Sequence, residues 1–138
     1  MDKVALVTGG SRGIGAAICK ELSRDHHVLV GATTEEGARA VADTLPSAEP
    51  WVVDICDEDA LADRLREEER GKIRVTSIHP GRVDTDMQHV LQEDADYYDP
   101  EDHMTVESIA RAVRFAIDSP ENAMVEMVSI RPVRQVRR

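Results

Sequence analysis

The stretch KVALVTGGSRGIG, Lys3–Gly15, decides how the rest of the chain is read. Its first five residues form a short apolar run that stops at glycines, as a buried parallel strand does. Ile14, Ile18 and Leu22 then recur every four residues and predict a helix from about Gly13 to Arg24. Gly9, Gly13 and Gly15 fall between that strand and that helix. Glycines in this place let the backbone approach a pyrophosphate, whose charge meets free N–H groups and the positive end of the helix. A plain tight turn is the alternative. Thr8 before the turn and the strand–helix–strand pattern after it favour nucleotide binding.

The alternation continues outward. HVLVGA (His27–Ala32) reads as a second strand, Ala38, Val41, Ala42 and Leu45 mark a second helix ended by Pro46, and PWVVDI (Pro50–Ile55) reads as a third strand. A charged helix follows, with Asp57 as its N-cap and Gly71 as its stop, and a thin apolar face of Leu61, Leu65 and two alanines. A fourth strand is expected at Ile73–Ile78, ended by Pro80-Gly81, then an acidic loop, QEDADYYDPED. Thr105 caps a helix with the core stripe Val106, Ile109, Val113 and Ile117, and Ala123–Ile130 reads as a fifth strand. Strands alternating with helices imply a parallel sheet covered on both faces.

The length of 138 residues suggests one domain, 1–138, large enough to bury its own core. Aromatic residues are only 3% of the chain, so that core must be built from Val, Ile, Leu and Ala. A formal charge of −10 argues against a nucleic-acid partner, since phosphate contacts need clustered Lys and Arg. The basic tail Arg131, Arg134, Arg137 and Arg138 reads as a solvated terminus, with a polyanion site as the alternative. The run Val4–Val7 is far too short for a signal peptide, and nothing approaches a membrane span. Cys19 and Cys56 make no C-x-x-C and no zinc spacing, so both read as reduced and the expected location is cytoplasmic.

TGGSRGIG resembles the T-G-x-x-x-G-x-G motif of the short-chain dehydrogenases/reductases. HPGRVDTDM resembles the same family's Pro-Gly motif with its T-x-M ending, and the two stand in family order. The likeness runs from Lys3 to about Asp59 and again from about Leu61 to Pro132. It implies that Gly9, Gly13 and Gly15 form a pyrophosphate turn with the Ile14 amide beside it, and that Thr8, Ser11 and Arg12 belong to that turn. Asp54 would accept from the adenine amino group, and Ile55 would offer its amide to the ring. Pro80, Gly81, Val83 and Thr85 would line the nicotinamide side. Asp54 has the alternative of capping the turn after it, and Thr85 that of capping a helix or turn.

Charge bears on the cofactor. An NAD site needs a carboxylate near the end of the second strand for the ribose 2′-OH. This chain has Gly31-Ala32-Thr33-Thr34 there and no acid until Glu35, while Arg12 lies in the glycine turn, where a guanidinium can reach a 2′-phosphate. NADP is favoured over NAD; a solvent-exposed turn residue is the alternative for Arg12.

Reduction of a carbonyl also needs a proton donor. The family's is a Tyr four residues before a Lys, with a Ser positioning the substrate. Here the two tyrosines, Tyr97 and Tyr98, are followed four residues on by Glu101 and Asp102, and the only lysines are Lys3, Lys20 and Lys72. The family's N-N-A-G turn and catalytic asparagine are missing as well, because the sole asparagine is Asn122. The chain passes from one family segment to another near Ala60–Leu61, which reads as an internal deletion. The family sheet, ordered 3-2-1-4-5-6-7, would lose its fourth and fifth strands. The expected fold is a three-layer doubly wound α/β sheet of Rossmann type, five parallel strands in order 3-2-1-4-5, the family's sixth strand taking the vacant place beside the first. The thin crossover helix makes this a marginal monomer, or a homo-oligomer that hides exposed surface by association.

Other chemistry is weaker. Ser77 and His79 lack a G-x-S-x-G elbow, the acidic loop lacks the glycine and final glutamate of a calcium loop, and His26, His27, His89 and His103 show no metal spacing. Tyr98 as surrogate proton donor has no cation beside it. The expectation is an oxidoreductase by family that holds NADP(H) without hydride-transfer activity of its own. The alternatives are an active enzyme on a carbonyl or alcohol, through a surrogate donor or a partner chain, and an inactive truncated product.

Overall fold

The computed structural model describes residues 3–54, 76–92, 99–120 and 122–134. The chain divides into two compact units, Met1–Arg74 and Val75–Arg138.

In the first unit, β1 (Lys3–Val7), α1 (Gly13–Leu22), β2 (His26–Ala32), α2 (Glu35–Ala42) and β3 (Ala48–Val52) follow one another in two strand–helix–strand steps. The strands form one parallel ladder with β2 in the middle, Val7 in register with Val30 and Val30 with Pro50. Right-handed crossovers place α1 and α2 on the same face of it. That face holds Val28 and Val30, both fully buried, together with Cys19 and Leu22 of α1 and Ala38 and Ala42 of α2. Complete burial of two valines contributes about 3–6 kcal/mol against leaving them in water. Thr34 caps α2, its hydroxyl accepting from the Gly37 amide at 3.2 Å. Glu35 and Glu36 complement the positive helix end.

In the second unit, β4 (Ser77–Pro80) pairs in parallel with β5 (Met127–Ile130), Ser77 in register with Met127. Between them lie α3 (Asp86–Gln92), a 3-10 turn at Pro100–Asp102 and α4 (Val106–Ile117). The core here is Val83, Met104, Ile109, Ala110 and Ala112, with the carboxylate residue Asp102 buried beside them in the chain.

The α/β class with parallel strands is as expected, and several particulars are corrected. The described residues form two ladders, β1-β2-β3 and β4-β5, and not one ladder in the order 3-2-1-4-5. Among the described residues β1 hydrogen-bonds to β2, and β4 is a four-residue strand ending on a proline, which has no N–H to give. Nor is β1 buried on both faces: Val4 is 63% and Leu6 42% exposed. β3 starts and ends earlier than its apolar run, because its register follows β2. Asp86–Gln92, for which no element was expected, is helical, and its last residue is the first of the expected acidic loop. In α4 the fully buried positions are Ile109 and two alanines, while Val106, Val113 and Ile117 are half-buried. The expected charged helix from Asp57 to Gly71 and the junction near Ala60–Leu61 lie outside the described residues.

Candidate functional site

The glycine turn of the first unit is shaped by steric demands that can be read atom by atom. Gly9 and Gly13 have φ of +66° and +54°, in the left-handed region where a side chain is strained. Gly15 has an ordinary φ but no room, since a Cβ there would lie 2.1 Å from the Gly9 carbonyl oxygen. The first turn of α1 is thus pressed against the loop that enters it. The amides of Gly13, Ile14 and Gly15 open the helix and have no intrahelical carbonyl to bond. Arg12 is the extended N-cap residue, exposed, with no side-chain hydrogen bond to the helix end. Thr8 and Gly9 are exposed and Ser11 half-buried, so the turn offers a row of backbone donors at the surface.

The turn is tied to its surroundings by Gly10, which the sequence pattern did not single out. Its amide donates to the Gly31 carbonyl at 2.8 Å, and a Cβ on it would meet the Cys19 sulfur at 2.9 Å and Val30 at 3.1 Å. Burial pushes the Cys19 thiol up from its ordinary 9.0 to about 11, against a smaller opposing effect from a backbone hydrogen bond. It is a neutral packing group there and not a nucleophile.

The N-terminus of α2 closes on the same turn. A Cβ on Gly37 would meet the Thr34 hydroxyl at 3.0 Å and Cβ of Ser11 at 3.4 Å. Ser11 and Thr34 therefore meet beside Gly37, and the next carboxylate along the chain, Glu35, is engaged along the helix by Arg39 at 2.6 Å. Neither Thr34 nor Gly37 carried a motif in the sequence. Asp54 is exposed and follows Val53, whose amide donates to the Ala32 carbonyl at 2.8 Å.

In the second unit, Pro80 ends β4 and the Gly81 amide donates to the Ile130 carbonyl at 2.7 Å. Val83 is buried and bridges to Met104: the Met104 amide donates to the Arg82 carbonyl at 2.9 Å, and the Asp84 amide to the Met104 carbonyl at 2.8 Å. Bridge geometry leaves the Val83 amide and carbonyl pointing to the opposite side. Thr85 stands at the head of α3, its hydroxyl accepting weakly from the Gln88 amide at 3.4 Å, so the capping role is present. Ile55 and Tyr98 lie outside the described residues. The structure thus gathers Thr8, Gly9, Ser11, Arg12, Gly13, Ile14 and Gly15 into one turn, and Pro80, Gly81, Val83 and Thr85 into one strand-to-helix connection.

Comparison with known proteins agrees with this geometry. Residues 3–67 match the family described as short chain dehydrogenase. Over that stretch, just under half of the chain, the protein is similar to the short-chain dehydrogenases/reductases. It is 44% identical over 68 residues to the 3-oxoacyl-[acyl-carrier-protein] reductase FabG of Pseudomonas aeruginosa, an overlap of 46% of this chain and 28% of that protein. With the acetoacetyl-CoA reductase of Paracoccus denitrificans it shares 39% identity over 95 residues, 66% of this chain and 39% of that one. The matched stretch is thus well under half the length of these short-chain dehydrogenase/reductase relatives. Among solved structures, an alcohol dehydrogenase from the archaeon Thermococcus sibiricus, complexed with 5-hydroxy-NADP, superposes with a TM-score of 0.73 at 17% identity, covering 99% of each chain. A FabG from Bacteroides thetaiotaomicron gives 0.70 at 15% identity, covering 94% of this chain and 96% of that one. At such identities the likeness establishes the Rossmann-type fold. No helix among the described residues is long and apolar enough to cross a membrane.

Proposed function

We propose that this protein is an NADP(H)-binding short-chain dehydrogenase/reductase that does not carry out its family's tyrosine-based proton transfer. The observation that carries the reading is the approach of Ser11 to Thr34 beside Gly37, with Arg12 and Thr33 next to them in the chain. This stretch supplies small hydroxyls and one guanidinium, while the nearest acid in the chain, Glu35, is paired along α2 with Arg39. A free ribose 2′-OH would find no carboxylate acceptor there, whereas a 2′-phosphate would find donors and a cation. The backbone of Gly9–Gly15 fits a pyrophosphate, because the positive φ values and the missing Cβ of Gly15 leave the opening of α1 accessible.

In this reading Asp54 and Ile55 serve the adenine, and Pro80, Gly81, Val83 and Thr85 serve the nicotinamide side. The outward amide and carbonyl of Val83 suit a carboxamide, which presents one acceptor and a pair of donors. The nicotinamide, when bound, supplies hydride exchange with a small carbonyl or alcohol. The chain has no Tyr-x-x-x-Lys pair to provide the matching proton, an absence that rests on three lysines and two tyrosines in the whole sequence. The internal deletion near Ala60–Leu61 accounts for the missing segment, and the charge and cysteine content suit the cytoplasm.

Arg12→Ala tests the assignment. Loss of one charge-assisted contact to the 2′-phosphate is expected to weaken NADPH binding roughly tenfold to a hundredfold and to leave NADH unchanged. Equal losses for both cofactors would overturn the 2′-phosphate role.

A further inference from the structure

The glycine motif assigns Gly9, Gly13 and Gly15 and leaves Gly10 as an unspecified position. Gly10 is nevertheless held from three sides, all within the first unit. Its amide donates to the Gly31 carbonyl of β2 at 2.8 Å. Gly15 approaches so closely that a Cβ on it would lie 3.1 Å from the Gly10 Cα. Cys19 stands four residues further along α1, on the same face as Gly15, with its thiol 4.0 Å from the Gly10 carbonyl oxygen. Gly15 and Cys19 thus form a seat for Gly10, one leaving room and the other filling it. The backbone does not demand a glycine there, since only Gly9 and Gly13 have positive φ among the described residues. What demands it is space. A Cβ on Gly10 would meet the Cys19 sulfur at 2.9 Å, closer than Val30 or the Val7 carbonyl, both at 3.1 Å. Cys19 has no exposed surface into which to turn, so the sulfur cannot move aside freely.

We propose that Cys19 is a positioning residue for the dinucleotide: its side-chain volume sets where Gly10 sits and, through Gly10, where the Gly9–Ile14 amides point. The inference rests on the glycine turn as the pyrophosphate site. Gly10–Arg12 is strung between Gly9 and Gly13, the two residues whose backbone turns most easily. A push at Gly10 is therefore passed along the turn to Ser11, Arg12 and the opening of α1. Several amides aimed at one anion then lose alignment together, and hydrogen bonds weaken steeply as they bend. Gly10 and Cys19 consequently form a coupled pair. Alanine at position 10 needs a smaller residue at position 19, while Val30 and the Val7 carbonyl need give only slightly.

The test compares the unaltered chain with Gly10→Ala, Cys19→Ala and the double variant G10A/C19A. Three quantities are read: NADPH affinity, the amide resonances of Gly9–Ile14 without ligand, and stability in urea. G10A is expected to weaken NADPH binding roughly tenfold to a hundredfold and to displace the turn resonances. C19A, which leaves a gap beneath Gly10, should weaken it less. G10A/C19A should return to within about threefold of the unaltered chain, with the resonances restored. Binding unaffected by G10A, or losses that simply add in the double variant, would overturn the proposal. So would variants that lose stability but keep their NADPH affinity, because Cys19 would then be packing alone. An unaltered chain that binds no NADPH would refute the cofactor reading of the turn, and the resonances would then decide the coupling by themselves. If G10A does not fold, a folded G10A/C19A supports the coupled pair and an unfolded one overturns it.

Discussion

Gly15 is the residue on which the glycine turn depends most. A methyl group at this position has no flexible neighbour to displace, because the atom it meets at 2.1 Å is a backbone oxygen. Gly15→Ala is expected to cost about 1–3 kcal/mol in urea unfolding and to remove NADPH binding; a variant that binds as before would show that the turn opens without strain. Cys19 gives a pH signature at the same scale. Its thiol is raised in the fold to about 11 from 9.0, so the unfolded chain is the one that ionises first. The stability this contributes is fully present below pH 9 and is lost as pH rises through about 11. Unfolding midpoints of the unaltered chain and Cys19→Ala, compared from neutral to alkaline pH, should converge above that window; a constant difference would contradict the burial argument. The sequence made Gly9, Gly13 and Gly15 legible because motif spacing is a backbone property. Gly10 and Gly37 were not legible, since their necessity comes from Cys19 and Ser11, which are distant from them in the chain or belong to no recognised spacing.

Among the elements, strands and helices with one continuous apolar side were read well, and those held by other means were not. β1, α1 and β2 agree with their apolar spacing to within a residue or two. α3 was missed because Met87 and Val90, its readable apolar residues, are exposed; the helix is held by Thr85 at its head and by the contact of His89 with Asp84 at 2.7 Å. α4 was placed correctly but its buried side was not. A pattern built on Val and Ile overlooks Ala110 and Ala112, which are buried. Ile109 is the one large side chain at the centre of that face, 2% exposed. Ile109→Ala is expected to lower stability by about 2–5 kcal/mol in urea unfolding, and Phe115→Ala, on the exposed side, by much less. Equal effects would mean that the face is misassigned.

At the scale of the molecule, fold and chemistry separate. The residues proposed to hold the dinucleotide lie in Thr8–Ile55 and in Pro80–Thr85, while a Tyr-x-x-x-Lys pair is encoded nowhere in the chain. The ladder expected as a single five-stranded sheet was inferred from strand order in the family, and order alone does not say which strands pair. Whether the glycine turn still holds its ligand is the central claim, and an NADPH titration with NADH as control tests it most directly. Trp51 is the only tryptophan, half-buried on β3 in register with Gly31, and energy transfer from it to the reduced nicotinamide reports occupancy. Saturable quenching, with NADPH the tighter ligand, is the predicted result. No saturation with either cofactor, or NADH binding as tightly as NADPH, would contradict the account.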